Sequence, residues 1–308
     1  MTDTDALLGG DGFKSGFVTL VGRPNAGKST LLNAIMGKKI AITSDTAQTT
    51  RHRFRAVLTR DDFQMIIVDT PGLHKPHDAL GEELNTSALK SLEDVDVVAM
   101  LIDSSKPIGR GDEWVAAQLR GSRARKICVL SKVDLATPDQ IAAQREAAEG
   151  LAEWDAMVAL SATTGYNVEA FVEEVVYLLP PGPAWFPPDM ETDQPIEVVV
   201  AEFIREKILR SFHDEVPHAI GVAVDEMEYD RKKDLYRIFA VIYVERDSQK
   251  GIIIGKRGAA IKRIGIEARE DLEQLLGCRV FLDLSVKVRK NWRRDASQIR
   301  RFGYGEGA

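Results

Sequence analysis

The segment Gly22-Arg23-Pro24-Asn25-Ala26-Gly27-Lys28-Ser29 constrains the fold more than any other part of the chain. It fits G-x-x-x-x-G-K-[ST], and it lies between a strand pattern and a helix pattern. Phe17 to Val21 is an apolar run of buried-strand length, while Leu31, Leu32, Ala34 and Ile35 recur at helical spacing as far as Gly37, a C-cap residue. The loop therefore opens a helix, where free N–H groups and the positive end of the dipole favour phosphates. Gly22 and Gly27 let the backbone curl around a ligand, and Asn25 and Ala26 complete the loop. Lys28 would reach the terminal phosphates, the Ser29 hydroxyl would coordinate Mg²⁺, and Thr30 would follow as a further contact.

Three later segments bear on which nucleotide. Phe63 to Val68 reads as a second buried strand, ending at Asp69-Thr70-Pro71-Gly72. A carboxylate there can hold Mg²⁺, and the Gly72 N–H can meet a γ-phosphate. The strand Ile127 to Leu130 leads to Ser131-Lys132-Val133-Asp134, and Met157 to Leu160 leads to Ser161-Ala162-Thr163. Here the chain resembles the translation-factor class of small GTPases, in which Asn-Lys-x-Asp and Ser-Ala hold guanine. Asp134 would accept from guanine N1–H and the exocyclic amine, whereas adenine would leave that acceptor unpaired. Lys132 would lie along the base face, and the Ala162 N–H would meet the guanine oxygen. Ser131 departs from the class, which has Asn there; its single hydroxyl predicts weaker tethering of base loop to phosphate loop, with guanine preference kept by Asp134.

The polar stretch Ser44 to Arg53 reads as a first switch loop, in which Thr50, with Thr49 as fallback, would complete the Mg²⁺ shell. Residue 73 is Leu where many signalling GTPases carry a water-orienting Gln. Leucine cannot orient water, so hydrolysis would be slow without a partner or another source of charge. In related GTPases that lack the Gln, an Asn at the Asn25 position helps hold K⁺, which is the expectation here. Lys28, Thr50, Gly72 and Asn25 are the candidate catalytic set.

A chain of 308 residues with 44% hydrophobic content suits two folded domains. Helical spacing over Val168 to Leu179 stops at Pro180-Pro181-Gly182-Pro183, and the segment to Pro195 is too proline-rich for an element interior. The reading is a flexible leader over 1–15, a GTP-binding domain over 16–180, a linker over 181–195 in which Trp185 and Phe186 pack on a domain surface, and a smaller domain over 196–308. Residues 1–190 hold 19 basic and 26 acidic side chains, and 191–308 hold 22 and 21, within a total of −6. The distribution matters more than the total. Ser248 to Ile266 has five basic residues and no acidic one, and Ser285 to Phe302 has seven and one.

The first basic stretch contains Gly255-Lys256-Arg257-Gly258, which fits the GxxG loop of KH domains: glycines for close backbone approach, two cations for phosphates, and an apolar groove for single-stranded bases. Lys262 and Arg263 follow, and Lys287, Arg289 and Lys290 lie further on as candidate RNA contacts. The surrounding pattern predicts a strand at Ile196 to Val200, a helix over 201–212, strands near 219–228 and 235–245 with a turn at Asp230 to Asp234, a helix over 259–276 and a strand over 279–288. That order resembles the prokaryotic, type II KH domain.

Residues 16 to about 304 resemble the Era family of bacterial ribosome-assembly GTPases. The resemblance is carried by the phosphate loop, Ala47 to Arg53, Asp69 to Gly72, Asp214-Glu215-Val216-Pro217-His218 and Gly255 to Gly258. It implies an α/β P-loop GTPase domain with a mostly parallel sheet flanked by helices, then a smaller α+β type II KH domain. It also implies GTP/GDP and Mg²⁺ as ligands, GTPase activity, and binding to 16S ribosomal RNA near its 3′ end during assembly of the 30S subunit. Trp292 would stack on a base or anchor the last helix. Two cysteines, Cys128 and Cys278, form no disulfide framework and suit a reducing cytosol. No apolar run approaches the roughly 18 residues of a membrane span, and the first 15 residues lack a signal-peptide core. The expectation is a cytoplasmic monomer without a DNA partner, with peripheral contact between the basic tail and anionic inner membrane implied by the family. His52, His74 and His77 read as solvated loop residues. Rival readings are a non-catalytic RNA-binding module stabilised by GTP, and a membrane-attached regulator.

Overall fold

The computed structural model describes residues 12–44, 54–73, 79–92, 94–212, 216–295 and 299. Among these, strand β1 (Lys14–Gly22) forms from the first apolar run. It begins two residues inside the segment expected as a leader, because the Lys14 N–H donates to Asp62 O and the Ser15 N–H to Pro180 O. Helix α1 (Lys28–Met36) follows and stops at Gly37, left-handed at φ 65°, whose N–H returns to Ala34 O. Then come β2 (Phe54–Thr59), β3 (Phe63–Asp69), α2 (Ala79–Lys90), β4 (Val97–Asp103), α3 (Arg110–Gln118), β5 (Arg125–Ser131), α4 (Pro138–Glu149), β6 (Ala156–Ala159) and α5 (Val168–Leu178).

The sheet order is β2-β3-β1-β4-β5-β6, parallel except for β2, which runs antiparallel to β3. Every residue of β3 and β4 is buried, so these strands must be covered on both faces. One cover joins Val21, Met100, Cys128 and Leu130 with Ala88 of α2, Val115 and Ala116 of α3 and Ala148 of α4. On the other, α1 packs with α5, burying Leu31, Leu32, Phe171 and Val175. Burying each such side chain contributes about 1.5–3 kcal/mol relative to exposure. All loops after β1, β3, β4, β5 and β6 leave from the carboxyl edge, where open α/β sheets bind ligands.

The proline-rich stretch after α5 is strapped to this sheet. Pro181 bridges Lys14, the Gly182 N–H donates to Phe13 O, and the Ser15 hydroxyl donates to Pro183 O at 2.6 Å. Gln64, fully buried, accepts from the Trp185 and Phe186 N–H groups and donates to Phe186 O. Further along, the Val57 N–H donates to Glu191 O and Ala56 bridges Thr192, covering the β2 edge. Trp185 lies 5.9 Å from the Phe17 ring, on the surface as expected.

Contacts divide the chain into two compact units. The described residues of the first are 12–41, 54–73, 84–92 and 94–193; the second takes 42–44, 79–83 and the described residues from Gln194 onward. In the second unit the strand expected at Ile196 to Val200 is instead the first turn of a helix, α6 (Ile196–Ser211). Pro195 sets its start, its carbonyl accepting from the Val198 and Val199 N–H groups. Burial of Val199, Val200, Phe203, Ile204 and Ile208 at helical spacing overrides the β preference of the valines. Short α7 (Val216–Ala219) leads to β7 (Gly221–Asp230) and β8 (Leu235–Val244), an antiparallel pair with a bulge between Val224 and Glu226. Strand β9 (Arg279–Val288) pairs parallel with β8, a geometry that needs a crossover. The crossover is α8 (Asp247–Ile254), the GxxG loop and α9 (Ala259–Leu276), which buries Ile264, Ala268 and Leu272.

Candidate nucleotide site and nucleic-acid interface

The phosphate loop closes on itself through the Ala26 N–H to Arg23 O, and Asn25 and Gly27 both take left-handed backbone. Lys28 is buried, its ammonium donating to Arg23 O at 3.2 Å and Gly22 O at 3.4 Å. Burial pushes its pKa down, with Asp69 pulling it back up. A lysine that caps loop carbonyls in this way has its charge aimed at the loop interior. The Ser29 hydroxyl donates to Asp69 Oδ2 at 2.7 Å, so the two expected Mg²⁺ ligands already converge. A hydroxyl beside a buried carboxylate at the end of a strand fits the hard-oxygen chemistry of that cation. Gly72 packs so closely that a Cβ there would lie 3.0 Å from the backbone of Pro24. Thr50, Thr49, His52, His74 and His77 lie outside the described residues.

Leu73 is 1% exposed and belongs to the core beneath the sheet, so its side chain faces away from the nucleotide edge. Arg23 is also turned away from the loop interior, pairing with the buried Asp112 of α3 at 3.0 Å. A cleft of about 210 Å³, lined by Arg23, Pro24, Asn25, Ala26, Asp103 and Lys106, lies beside the loop.

The base-side loops sit one strand over. Ser131, 3% exposed, donates its hydroxyl proton between Ala26 O at 2.8 Å and Ile102 O at 3.0 Å. The tether that its short side chain was expected to weaken is therefore present: β5 ends close enough to the phosphate loop for one hydroxyl to span the gap. Lys132, left-handed at φ 58°, passes its stem over Gly27 and donates from Nζ to Asp103 Oδ2 at 2.8 Å. Burial pushes the Asp103 carboxyl up, but hydrogen bonds from Lys132 and Ser105 more than offset that and hold it below its ordinary value. Asp103 has no motif of its own; the only sequence signal is a carboxylate ending the apolar run Val97 to Ile102. Asp134 is exposed in the turn Val133–Leu135, its carboxylate at the surface. The Val133 N–H donates to Leu160 O, which ties this loop to the one bearing Ser161 and Ala162, and Ser161 Oγ accepts from the Thr164 N–H.

In the second unit the GxxG loop follows α8, a helix that the sequence pattern did not disclose. Gly255, Arg257 and Gly258 all have positive φ. A Cβ on Gly255 would lie 2.7 Å from the Ala260 Cβ and 2.9 Å from its N, so that glycine is needed for packing. Around Gly258 nothing lies within 4 Å, leaving open backbone. Lys256, Arg257, Lys262 and Arg263 are exposed, and Ile252 and Ile266 expose apolar surface nearby in sequence on α8 and α9. Lys287 and Lys290 are exposed, and the Arg289 guanidinium lies 5.4 Å over the Tyr243 ring. Trp292 is fully buried and donates to Ala219 O at 3.0 Å, so of the two expected roles it takes the anchor and not base stacking; it sits in a tight 3₁₀ turn over Trp292–Arg294.

A family model described as "50S ribosome-binding GTPase" matches residues 17–132, and a KH-domain model matches residues 215–293. GTPase Era of Mycolicibacterium smegmatis is 47% identical over 296 residues, covering 95% of this chain and 99% of that protein; GTPase Era of Mycobacterium avium matches with the same identity and coverage. An Aquifex aeolicus Era variant crystallised with GDP and AlF₄⁻ is 37% identical with a TM-score of 0.91, over 95% of this chain and all of that one. Era in complex with MgGDPNP and nucleotides 1506–1542 of 16S ribosomal RNA has the same identity and TM-score, over 95% and 99%. Similar at this level in sequence and in structure over 95% of its length, the chain belongs to the Era family of GTPases.

Proposed function

We propose that this protein is a GTP-hydrolysing switch that binds 16S ribosomal RNA near its 3′ end and assists assembly of the 30S subunit. The observation that carries the proposal is the full-length similarity to Era proteins, one of which holds both MgGDPNP and a 16S segment. The description attached to the matched GTPase model names the large subunit, but it covers only residues 17–132; the relatives matched over the whole chain are the better guide. The working division is a leader to residue 15, a GTP-binding domain over 16–180, a linker over 181–195 and a KH domain over 196–308.

When bound, Mg²⁺ would neutralise charge on the phosphates. Ser29, Thr50 and Asp69 would hold it, and Gly22, Asn25, Ala26, Gly27, Lys28, Thr30 and Gly72 would hold the phosphates. The guanine would lie between Lys132 and the Ala162 N–H, flanked by Ser131 and Ser161, with Asp134 reading its N1–H and amine. Because the Leu73 side chain is buried in the core, water orientation and charge neutralisation fall to other groups: Lys28, the Gly72 N–H and, through Asn25, a K⁺ ion. Hydrolysis that is several-fold faster in potassium than in sodium buffer is the expected outcome, and equal rates would remove the K⁺ role. For RNA, Gly255 and Gly258 admit the backbone, with Lys256, Arg257, Lys262, Arg263, Lys287, Arg289 and Lys290 as cationic contacts.

Coupling of nucleotide to RNA is supported by one arrangement within the second unit. The fully buried Glu206 of α6 accepts from the Thr43 N–H at 2.9 Å and from its hydroxyl at 3.3 Å, while Arg210 bonds the same carboxylate oxygen at 3.0 Å. Thr43 stands just before the stretch that carries Thr50. Ordering of Thr50 around a γ-phosphate would therefore be felt at α6. Crosslinking to 16S RNA with a GTP analogue or GDP bound tests this, and identical RNA affinity in the two states would refute it. A cytoplasmic monomer acting on the 30S subunit completes the proposal, with contact of the basic tail on anionic inner membrane as an accessory role. No helix among the described residues is long and apolar enough to cross a membrane.

A further inference from the structure

A phosphate loop binds through its backbone, so whatever fixes that backbone from behind matters to the nucleotide. The Arg23 carbonyl is a hub of the loop: it accepts from the Ala26 N–H and from the Lys28 ammonium, both at 3.2 Å. The Arg23 side chain runs outward to α3, where its Nε lies 3.0 Å from Asp112 Oδ1. Asp112 is 1% exposed and is itself held in place. Its Oδ2 accepts from the Gly109 N–H at 3.0 Å, its own N–H donates to Gly109 O at 2.8 Å, and the carboxylate stands in the first turn of α3, at the positive end of the helix.

The Nε–Oδ1 contact is an ion pair and not an aligned hydrogen bond, so charge and packing hold the guanidinium. The packing comes from Gly111. A Cβ there would lie 2.6 Å from Arg23 Cδ and 3.2 Å from Cγ, so the arginine stem rests on bare helix backbone. Glycine inside a helix weakens it relative to alanine, and here the room it leaves is filled by Arg23. Arg23 to Ala26 border an open cleft of about 210 Å³, so close packing does not fix this stretch on that side. Discrete tethers do: Ser131 at Ala26 O, and Asp112 at the Arg23 side chain. We infer that Asp112 is a positioning residue for the nucleotide: acting through Arg23 seated on Gly111, it fixes the Arg23 carbonyl and so holds Lys28 and the loop N–H groups where phosphates bind. The same loop meets the phosphates of GDP and of GTP, so the clamp acts on the binding of both and not on the chemical step. The inference rests on the nucleotide reading above.

The test uses the full-length protein with Mg²⁺, with GDP titrated by calorimetry and GTP turnover followed at steady state. R23M and D112N should each bind GDP roughly five- to twentyfold more weakly and raise KM for GTP by the same factor, with kcat within about twofold of the parent. R23M/D112N should bind no more weakly than the weaker single variant, because both changes break one clamp. G111A removes no charge and favours the helix, yet its methyl group pushes Arg23 off its seat. It should lose nucleotide affinity while melting within a few degrees of the parent, and it keeps the test decisive if D112N does not fold. GDP affinity within about twofold of the parent in folded R23M and G111A, losses that multiply in the double variant, or a kcat that falls at unchanged KM would each overturn the clamp. Failure of the unaltered protein to take up GDP would overturn the nucleotide reading itself, a separate result.

Discussion

Replacing Ser131 by alanine removes one buried hydroxyl that touches both the phosphate loop and the neighbouring strand, with its oxygen 2.8 Å from Ala26 O and 3.0 Å from Ile102 O. The hydroxyl has a single proton, so the substitution forfeits one hydrogen bond, worth about 1 kcal/mol net. The site is almost closed to water, and a carbonyl left without a donor there adds roughly another 1 kcal/mol. A loss of about 1–2 kcal/mol at the seam that joins the two halves of the nucleotide site corresponds to about 5–30-fold in affinity. Titration calorimetry of S131A with GDP and Mg²⁺ should show that loss, with a melting temperature a few degrees lower. Discrimination between guanine and xanthine nucleotides should not change, since the carboxylate of Asp134 is untouched. Affinity within twofold of the parent in a folded variant would refute the tether, and collapsed base selectivity would move base reading from Asp134 to Ser131.

Three further outcomes are expected. Gly255→Ala should cost about 1–3 kcal/mol of stability in denaturant titration, because its Cβ meets Ala260 and φ is +71°; Gly258→Ala, with open space around it, should cost only the backbone term of about 1 kcal/mol, and equal losses would contradict the packing assigned to Gly255. The Cys128 thiol, pushed up to about 12 by burial, should resist alkylation at neutral pH in the folded protein while Cys278 labels, as read by mass spectrometry; rapid labelling of Cys128 would mean that the sheet opens. In a lysine-methylene NMR titration of the nucleotide-free protein, Lys28 should titrate below the other lysines and move upward when GDP binds. A depressed lysine weighs against folding below its folded-state pKa, and that penalty fades as pH rises from there towards the unfolded lysine value, so an undisplaced Lys28 would contradict its burial.

Much of the fold could be read from punctuation. Gly258 and Gly277 bracket α9, and the apolar runs at Phe17, Phe63 and Ile127 became β1, β3 and β5. The first turn of α6 and the whole of α8 could not be read in the same way. Ile196 to Val200 and Gly251 to Ile254 have strand-like composition, and only burial at helical spacing against the rest of the KH unit decides them. In the nucleotide site the loops were legible because phosphate chemistry demands particular residues at fixed spacing. The Ser131 bridge and the Lys132–Asp103 pair were not, because they depend on how close β4 and β5 bring residues 28 or more positions apart.

The strap over residues 180–193 gives chain order a physical meaning. Strand β2 is an edge, and the amide of Val57 donates to Glu191 O across it. While the polypeptide emerges from the ribosome, the sheet built from residues 14–159 can pair internally, yet its outer row of donors and acceptors stays bare until some thirty more residues have been made. A protein truncated after Leu179 would keep that bare margin permanently, with the Gln64 carbonyl oxygen deprived of its Trp185 and Phe186 donors, and would be prone to self-association by strand addition; one ending after Asp193 would carry its own cover.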